Sequence, residues 1–504
     1  MNAPVRSSTL TGGQKPDVDV AILGSGFSGL GMGVALLKDG RRDFVILEKA
    51  DGVGGTWRDN TYPGCACDVS SHLYSFSFEP NPNWSRMFPS QPEIRAYLNH
   101  VADKYGLRPH LRFNKKVLEM RFDEAAGFWR IKTDDGEALT ARVVASGMGG
   151  LSRPVYADIK GAKSFKGKVF HSAEWDHDYD LTGKTVAVIG TGASAIQFVP
   201  QIQPKVAKLH LFQRTPPWIM PKPDRAMRGW EKWLFKRAPI FQTFLRGRIY
   251  CENEVRALGF NVDPRLIKAA QKIAENHLKK QVPDPALRQK LTPDYTMGCK
   301  RVLISNDYYP AVSQPNVELV TGGIDRITAK GVVSSDGVER PVDAIIYGTG
   351  FAATDALNPV QVWGVGGRHL NAEWNPHAEA YLGIAVSGYP NLFFLMGPNT
   401  GLGHNSMIYM IESQIRFAME AIHSMDQKGA VWMSPRKAVQ ATFSASIQHK
   451  IAKTVWQQGG CKSWYQTEDG RNTTLWPGFT FSYRAQTRRV DPRDFDYQPA
   501  LVAV

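Results

Sequence analysis

The feature that most constrains the fold is a glycine pattern that occurs twice, each time directly after a short apolar run. The first run, Val18 to Leu23, precedes Gly24-Ser25-Gly26-Phe27-Ser28-Gly29, and a helical pattern follows through Leu37. Glycines at this spacing allow a tight turn, let backbone N–H groups approach a pyrophosphate, and bring the helix close to the strand. The segment is therefore predicted to be the strand, turn and helix of a dinucleotide-binding unit.

The pattern returns after a second apolar run, Thr185 to Ile189. It reads Gly190-Thr191-Gly192-Ala193-Ser194-Ala195, with alanine at the third position, which the pattern allows. Gln197 follows closely and is included in the same predicted site. One such match often occurs by chance in an unrelated fold. Two matches in one chain predict two dinucleotide sites.

The residues that end the next predicted strands distinguish the two sites. Glu48 follows the strand Phe44 to Leu47, and its carboxylate can accept hydrogen bonds from ribose hydroxyls. At the corresponding place in the second unit, after Leu209 to Gln213, the chain has Arg214 and Thr215. A carboxylate would repel a 2′-phosphate, whereas an arginine can hold one. We therefore expect FAD in the first site and NADPH in the second.

These units predict an α/β fold with two Rossmann-like domains. The FAD domain is expected to be split into residues 1–150 and 345–504, the second part carrying substrate-site loops such as Gly397 to Asn405. The NADPH domain would occupy residues 151–344 and carry a helical insert at about 222–300. Apolar runs at Ala141 to Gly149 and Val342 to Phe351 are predicted to mark the crossings between the domains.

Composition and charge limit which partners, metals and cellular locations we expect. The formal charge of +14 is spread along 504 residues, which disfavours nucleic acid as a partner and suits polyphosphate ligands. No stretch approaches the roughly 18 apolar residues of a spanning helix, so we expect no stable membrane insertion. The five cysteines have the spacing of neither a disulfide framework nor a metal site. We expect a cytoplasmic protein without a metal, as a monomer or weak homodimer.

Two further motifs carry a resemblance to a known family. The stretch from Phe165 to Asp176 contains the fixed positions of the pattern F-x-G-x-x-x-H-x-x-x-W-[P/D], namely Phe165, Gly167, His171, Trp175 and Asp176. A second pattern contains Gly54-Gly55-Thr56-Trp57, Tyr62-Pro63-Gly64 and Asp68. On these motifs nearly the whole chain resembles the type I Baeyer–Villiger monooxygenases, which use FAD, NADPH and O2 to convert a ketone into an ester or lactone.

The resemblance implies roles for individual residues. Arg301, in Gly298-Cys299-Lys300-Arg301, would be the catalytic cation that stabilises an anionic peroxide at flavin C4a, and Asp68 would orient it. Lys300 would join Arg214 at the 2′-phosphate, and Trp464 would fold over NADP. Gly55, Thr56, Trp57, Tyr62 and Asp68 would contact FAD. The His171 motif, on what is predicted to be an interdomain linker, would control conformation.

Several alternatives stay open at this stage. An N- or S-oxygenating flavin monooxygenase shares the fold and cofactors, although such enzymes usually have Tyr or Phe where this chain has Trp175. Cys65-Ala66-Cys67 permits a flavin disulfide reductase, and a redox sensor could retain both cofactors without turnover. The stretch Trp230 to Tyr250 is amphipathic and broken at Pro239. It could pack as a helical insert that lines substrate access, or contact a membrane surface.

Overall fold

A computed structural model of the chain describes residues 15–261, 264–355, 357 and 359–499. The strands are β1 (Val18–Leu23), β2 (Phe44–Leu47), β3 (Leu111–Arg112), β4 (Val117–Asp123), β5 (Phe128–Thr133), β6 (Ala138–Ser146), β7 (Lys168–His171), β8 (Thr185–Ile189), β9 (Lys208–Phe212), β10 (Ile219–Met220), β11 (Leu303–Ile304), β12 (Val317–Val320), β13 (Ile324–Ile327), β14 (Gly331–Ser334), β15 (Glu339–Pro341), β16 (Ala344–Tyr347), β17 (Gln361–Trp363), β18 (Ala385–Val386), β19 (Tyr389–Phe394), β20 (Ala430–Pro435) and β21 (Phe495–Pro499).

The helices are α1 (Phe27–Lys38), α2 (Thr56–Asp59), α3 (Gln91–Lys104), α4 (Ala195–Ile202), α5 (Gly229–Arg237), α6 (Pro239–Asn261), α7 (Pro264–Gln281), α8 (Pro285–Leu291), α9 (Tyr308–Val312), α10 (Leu370–Glu373), α11 (Met407–Lys428), α12 (Lys437–Ile451), α13 (Val455–Gln458) and α14 (Thr480–Gln486). The predicted strands Val18 to Leu23, Phe44 to Leu47 and Thr185 to Ile189 are confirmed at both ends.

The larger sheet has β1 near its centre, paired in parallel with β2 and β6. Val20 and Ile22 of β1 enter one hydrophobic core and Ala21 and Leu23 enter a second, so both faces of the strand are covered. This explains why its sequence is continuously apolar from Val20 to Leu23. The strands β17, β18 and β19 extend the same sheet, so the sheet combines strands from residues 18–146 with strands from residues 361–394.

The second sheet contains β12, β9, β8, β16 and β7 in that order, all parallel. The strand β16 lies between β8 and β7, so this sheet extends to Tyr347, beyond the predicted domain boundary at 344. The prediction that the His171 motif lies on an interdomain linker is wrong in one respect. Lys168–His171 is β7, an edge strand that pairs in parallel with β16. Its residues Phe170 and His171 are buried beside Ile346 and Tyr347.

Four helices, α5 to α8, follow β10 and precede β11, and we call this segment the helical insert. The predicted break at Pro239 is confirmed, since α5 ends at Arg237 and α6 begins at Pro239. Its base is closed by parallel pairing of β10 with β11. Among the described residues, no helix has the length and apolar character needed to cross a bilayer.

The prediction that the five cysteines form no disulfide framework needs a correction. Cys299 and Cys461 form a disulfide, although they lie 162 residues apart in sequence, while Cys65, Cys67 and Cys251 are free. No spacing rule indicates this pair, because the fold alone brings the two segments together. The cysteine spacing therefore no longer argues for a reducing compartment, and a cytoplasmic location stays a prediction.

Candidate active site

A cavity of about 1330 Å³ lies at the carboxyl ends of β1, β2, β8 and β9, where open α/β sheets bind their ligands. Its wall contains every predicted cofactor or catalytic residue except Gly29. They are Gly24, Gly26, Phe27, Ser28, Glu48, Gly55, Thr56, Trp57, Tyr62, Asp68, Gly190, Thr191, Gly192, Ala193, Ser194, Gln197, Arg214, Thr215, Lys300, Arg301 and Trp464. The fold thus gathers two distant glycine motifs at one cavity.

The first glycine motif forms a cradle with space for a ligand. A Cβ on Gly26 would lie 3.8 Å from Cα of Gly55, its nearest neighbour, so the protein itself leaves this position open. Gly29 has a different task, because a Cβ there would lie only 1.8 Å from the carbonyl oxygen of Gly24. This close approach of α1 to the turn after β1 aims the helix N-terminus at the cavity, as an anionic pyrophosphate requires.

Glu48 is almost fully buried at the edge of this cradle. Its Oε2 accepts hydrogen bonds from the backbone N–H (2.8 Å) and hydroxyl (2.7 Å) of Ser25, and its Oε1 lies 2.9 Å from Nη1 of Arg58. Burial opposes the charge of Arg58, but Glu48 and Asp59 outweigh it and raise the pKa of the guanidinium. Arg58, which sequence reasoning missed, follows Trp57 directly and fixes the carboxylate. A ribose hydroxyl would compete with the Ser25 hydroxyl for Glu48.

Two cations lie on the side of the cavity where Thr191 of the second glycine motif contacts Thr215, and we call this pair the cationic corner. Arg214 and Lys300 both line the cavity, and they come from segments 86 residues apart. Burial lowers the pKa of Lys300, and the nearby charge of Arg214 lowers it further. An anion bound between the two cations would relieve this repulsion. A Cβ on Gly192 would come no nearer than 4.0 Å to protein, so the motif is again open towards a ligand.

Arg301 and Asp68 meet in the wall of the cavity that both glycine motifs line. Nε and Nη2 of Arg301 donate to the same oxygen, Oδ2 of Asp68, at 2.9 and 2.5 Å. The carboxylate charge raises the pKa of Arg301 against the opposing effect of burial. The pairing predicted from the resemblance therefore exists, although 233 residues separate the partners.

The loop after Cys461 places two aromatic rings near this pair. Trp464 is 45% exposed and lines the cavity, while Tyr465 is buried beneath it with the ring centroids 4.4 Å apart. Burial raises the pKa of Tyr465 to about 12, and the charge of Arg301 partly opposes this. A neutral hydroxyl therefore lies close to the guanidinium. The Cys299–Cys461 bond joins this loop to the segment that carries Arg301.

The His171 motif lies outside the cavity wall. His171 is fully buried, its Nδ1 accepts a hydrogen bond from the N–H of Ala173, and burial lowers its pKa. Trp175 packs between Phe170 and Phe198, the latter on the helix that follows the second glycine motif. Phe165 packs beside Gly167, where a Cβ would lie 2.4 Å from the carbonyl oxygen of Asp343. These contacts suit a structural support of the second sheet.

Sequence reasoning missed a buried carboxylate on the helical insert. Glu254 of α6 accepts hydrogen bonds from Nδ2 of Asn405 (2.6 Å) and from the hydroxyl (2.7 Å) and N–H (3.0 Å) of Thr480. Burial opposes its ionisation, but hydrogen bonds from His404, Thr480 and Asn405 outweigh this effect and lower its pKa. Because Asn405 lines the cavity, Glu254 connects the insert to the cavity wall.

The two cysteines of Cys65-Ala66-Cys67 do not have the properties of a redox pair. Burial raises the pKa of Cys65 to about 11 and that of Cys67 well above its ordinary value. The nucleophile in disulfide exchange is the thiolate, which these environments disfavour. The backbone N–H of Ala66 instead donates to Oε1 of Gln197 at 2.8 Å and ties this segment to α4. The burial of both free thiols thus argues against a disulfide reductase.

Comparisons with known proteins agree with this geometry. Residues 21–243 match the family described as pyridine nucleotide-disulphide oxidoreductase. A Baeyer–Villiger monooxygenase of Pseudomonas aeruginosa is 54% identical over 94% of this chain and 90% of its own length. The structure of an oxidised steroid monooxygenase bound to NADP has a TM-score of 0.86 and 30% identity, covering 96% of this chain and all of its own. The OTEMO complex with FAD and NADP has a TM-score of 0.86 and 27% identity, with the same coverage.

The fold and the paired nucleotide motifs define a flavoprotein that uses two dinucleotides. More narrowly, the chain belongs to the family of Baeyer–Villiger monooxygenases. It is an FAD- and NADPH-dependent enzyme that inserts one oxygen atom of O2 beside a ketone carbonyl, and N- or S-oxygenation is not favoured.

Proposed function

We propose that the cavity carries out this reaction with Arg301 as its catalytic cation and Asp68 as the residue that orients it. The observation that carries the proposal is the two-bond contact of Arg301 with Asp68 in the wall of the cavity that both glycine motifs line. When bound, NADPH would supply the reducing equivalents and FAD would pass them to O2. The fixed guanidinium of Arg301 would stabilise the negative charge that develops on oxygen during attack on the carbonyl.

Different residues around Arg301 and Asp68 would bind the two cofactors. FAD would lie against Gly24 to Gly29, Glu48, and Gly55 to Tyr62. NADPH would lie against Gly190 to Gln197, with Arg214 and Lys300 at its 2′-phosphate and Trp464 over the ligand. Met396, Leu402, Met407 and Ile411 add apolar wall to the same cavity. This wall supports a ketone with an apolar skeleton as the substrate class.

The test is a panel of linear, cyclic, aromatic and steroid ketones, run beside thioethers and amines, with products identified by mass spectrometry. We expect NADPH-dependent esters or lactones from at least one ketone class. Sulfoxides or N-oxides as the main products would instead support the N- or S-oxygenating alternative. Absence of turnover with every compound would support a nucleotide-binding sensor.

Coenzyme preference tests the cationic corner. Arg214→Ala is expected to raise the KM for NADPH about 10- to 100-fold, because a charge-assisted phosphate contact contributes roughly 1.5 to 3 kcal/mol. The KM for NADH should change little, since NADH has no 2′-phosphate. Steady-state kinetics with both coenzymes would measure this, with Arg326→Ala as the control because Arg326 pairs with exposed Asp325. An unchanged NADPH preference in Arg214→Ala would contradict the assignment.

Glu254 is proposed to position Asn405 in the cavity wall. Glu254→Gln keeps the shape but turns an amide donor towards the donors of Asn405 and Thr480, so about tenfold less product should form per unit time. NADPH oxidation without product should increase, while the KM for NADPH stays unchanged. Product yield per NADPH consumed measures this coupling. Glu252→Gln is the matched control, since Glu252 lies on the same helix and forms an ion pair with exposed Arg248. Equal coupling in both variants would contradict the role.

A further inference from the structure

The outer face of the helical insert carries an unusual concentration of exposed apolar side chains. Among the described residues, nine large apolar side chains are at least half exposed, and eight of them lie on α5, α6 and α7. Single exposed apolar residues are ordinary on protein surfaces, whereas a cluster indicates contact with a partner or a membrane. The eight are Trp230, Trp233, Ile240, Phe241, Phe244, Val255, Leu266 and Ile273.

Five of these residues form what we call the apolar patch: Trp230 (58% exposed), Trp233 (61%), Ile240 (69%), Phe241 (51%) and Phe244 (74%). They lie on consecutive helices that meet at Ala238. Three of the five are on the first two turns of α6. Aromatic side chains of this kind favour the boundary between water and lipid acyl chains.

Polar contacts on the opposite face fix the orientation of the patch. Nε2 of Gln242 donates to the carbonyl of Asn81 at 2.8 Å, and Nη1 of Arg246 donates to the carbonyl of His72 at 2.7 Å. Gln242 is buried although its neighbours Phe241 and Phe244 are exposed. The patch therefore cannot turn inward without breaking buried hydrogen bonds, which is unfavourable.

Charge distinguishes between possible partners. Residues 229–281 contain eleven lysines and arginines but only five acidic residues. Lys236 and Arg237 lie between the two halves of the patch, and Lys268 and Lys272 on α7 are also exposed. Two copies of this face would repel each other, whereas an anionic lipid surface attracts basic residues and accepts exposed aromatic rings.

We propose that the apolar patch and its basic surroundings dock the enzyme peripherally on an anionic lipid bilayer. The helices lie on the surface and do not cross it. The inner side of the same insert reaches the cavity wall through Glu254 and Asn405, so docking would bring the bilayer to the insert that supports the cavity. The inference does not depend on the proposed catalytic roles.

The experiment is flotation of the FAD-loaded full chain with phosphatidylcholine vesicles, with and without phosphatidylglycerol. Binding to the anionic vesicles should exceed binding to the neutral ones about tenfold, and it should weaken in high salt. The double variant Trp233→Ser and Phe244→Ser should bind anionic vesicles about tenfold less and retain its ketone turnover in solution. Phe481→Ser is the control, since Phe481 is 53% exposed but lies outside the insert.

Three results would overturn the proposal. The first is a wild-type chain that stays unbound on anionic vesicles at low salt. The second is a double variant that binds these vesicles as tightly as Phe481→Ser does. The third is a dimer, seen by analytical ultracentrifugation, that the double variant abolishes, which would make the patch a contact between copies.

Discussion

Arg301→Ala is expected to lower the rate of ester formation about 100- to 1000-fold while leaving FAD content and NADPH affinity close to those of the wild type. The magnitude is that of removing one preorganised donor from a site where negative charge develops on oxygen. Among the described residues, Arg301 forms no hydrogen bond to either glycine motif, and its guanidinium donates two hydrogen bonds to Asp68. Its loss should therefore affect oxygen transfer more than cofactor binding.

Two further variants separate charge from geometry. Arg301→Lys should recover little activity, because an ammonium group cannot hold Asp68 through two adjacent donors of a planar fork. Asp68→Ala should have a smaller effect than Arg301→Ala, since the cation remains but is less well oriented. Rapid-mixing absorbance and ester yield, measured on the same samples, would follow both steps. A wild-type ester yield from Arg301→Ala would move the catalytic role to another residue.

Gly26→Ala and Gly192→Ala are expected to give opposite defects. Each added methyl group meets protein atoms only at ordinary contact distances, 3.8 Å for Gly26 and 4.0 Å for Gly192, so both variants should fold. Each methyl group would instead hold a pyrophosphate away from backbone N–H donors. Gly26→Ala should lose FAD affinity about 100-fold and purify with little yellow colour. Gly192→Ala should keep FAD and bind NADPH more weakly.

The measurements are flavin absorbance per polypeptide and NADPH binding by fluorescence titration. Gly247→Ala is the matched control, because no heavy atom lies within 4 Å of an added Cβ there and the residue is remote from both motifs in sequence. Loss of FAD from Gly192→Ala, with full FAD retention in Gly26→Ala, would reverse the assignment of the two sites.

The parts of the fold that were predictable depend on local sequence. The strand before Gly24 and the strand before Gly190 are short apolar runs that end at glycine, and both are found at the predicted residues. Likewise, α11 begins at Met407 directly after Ser406, a residue type favoured before the first helical residue, and the hydroxyl of Ser406 accepts a hydrogen bond from the N–H of Ile408. Such signals lie within a few residues of the structure they determine.

The features that were not predictable depend on contacts between distant segments. Cys299 meets Cys461 and Glu254 meets Asn405 across more than 150 residues, and neither pair has a spacing that indicates its partner. The Lys168–His171 segment looked like a linker because it is a four-residue edge strand, too short for a clear periodic pattern. The Arg301 and Asp68 pair was found only through the family resemblance.

The most direct test of the account is turnover of an accepted ketone under ¹⁸O2 with purified, FAD-loaded enzyme and NADPH. The account predicts an ester or lactone that carries one ¹⁸O atom, with one NADPH consumed for each product molecule. An unlabelled product, or NADPH oxidation that yields only hydrogen peroxide with every ketone class, would contradict it.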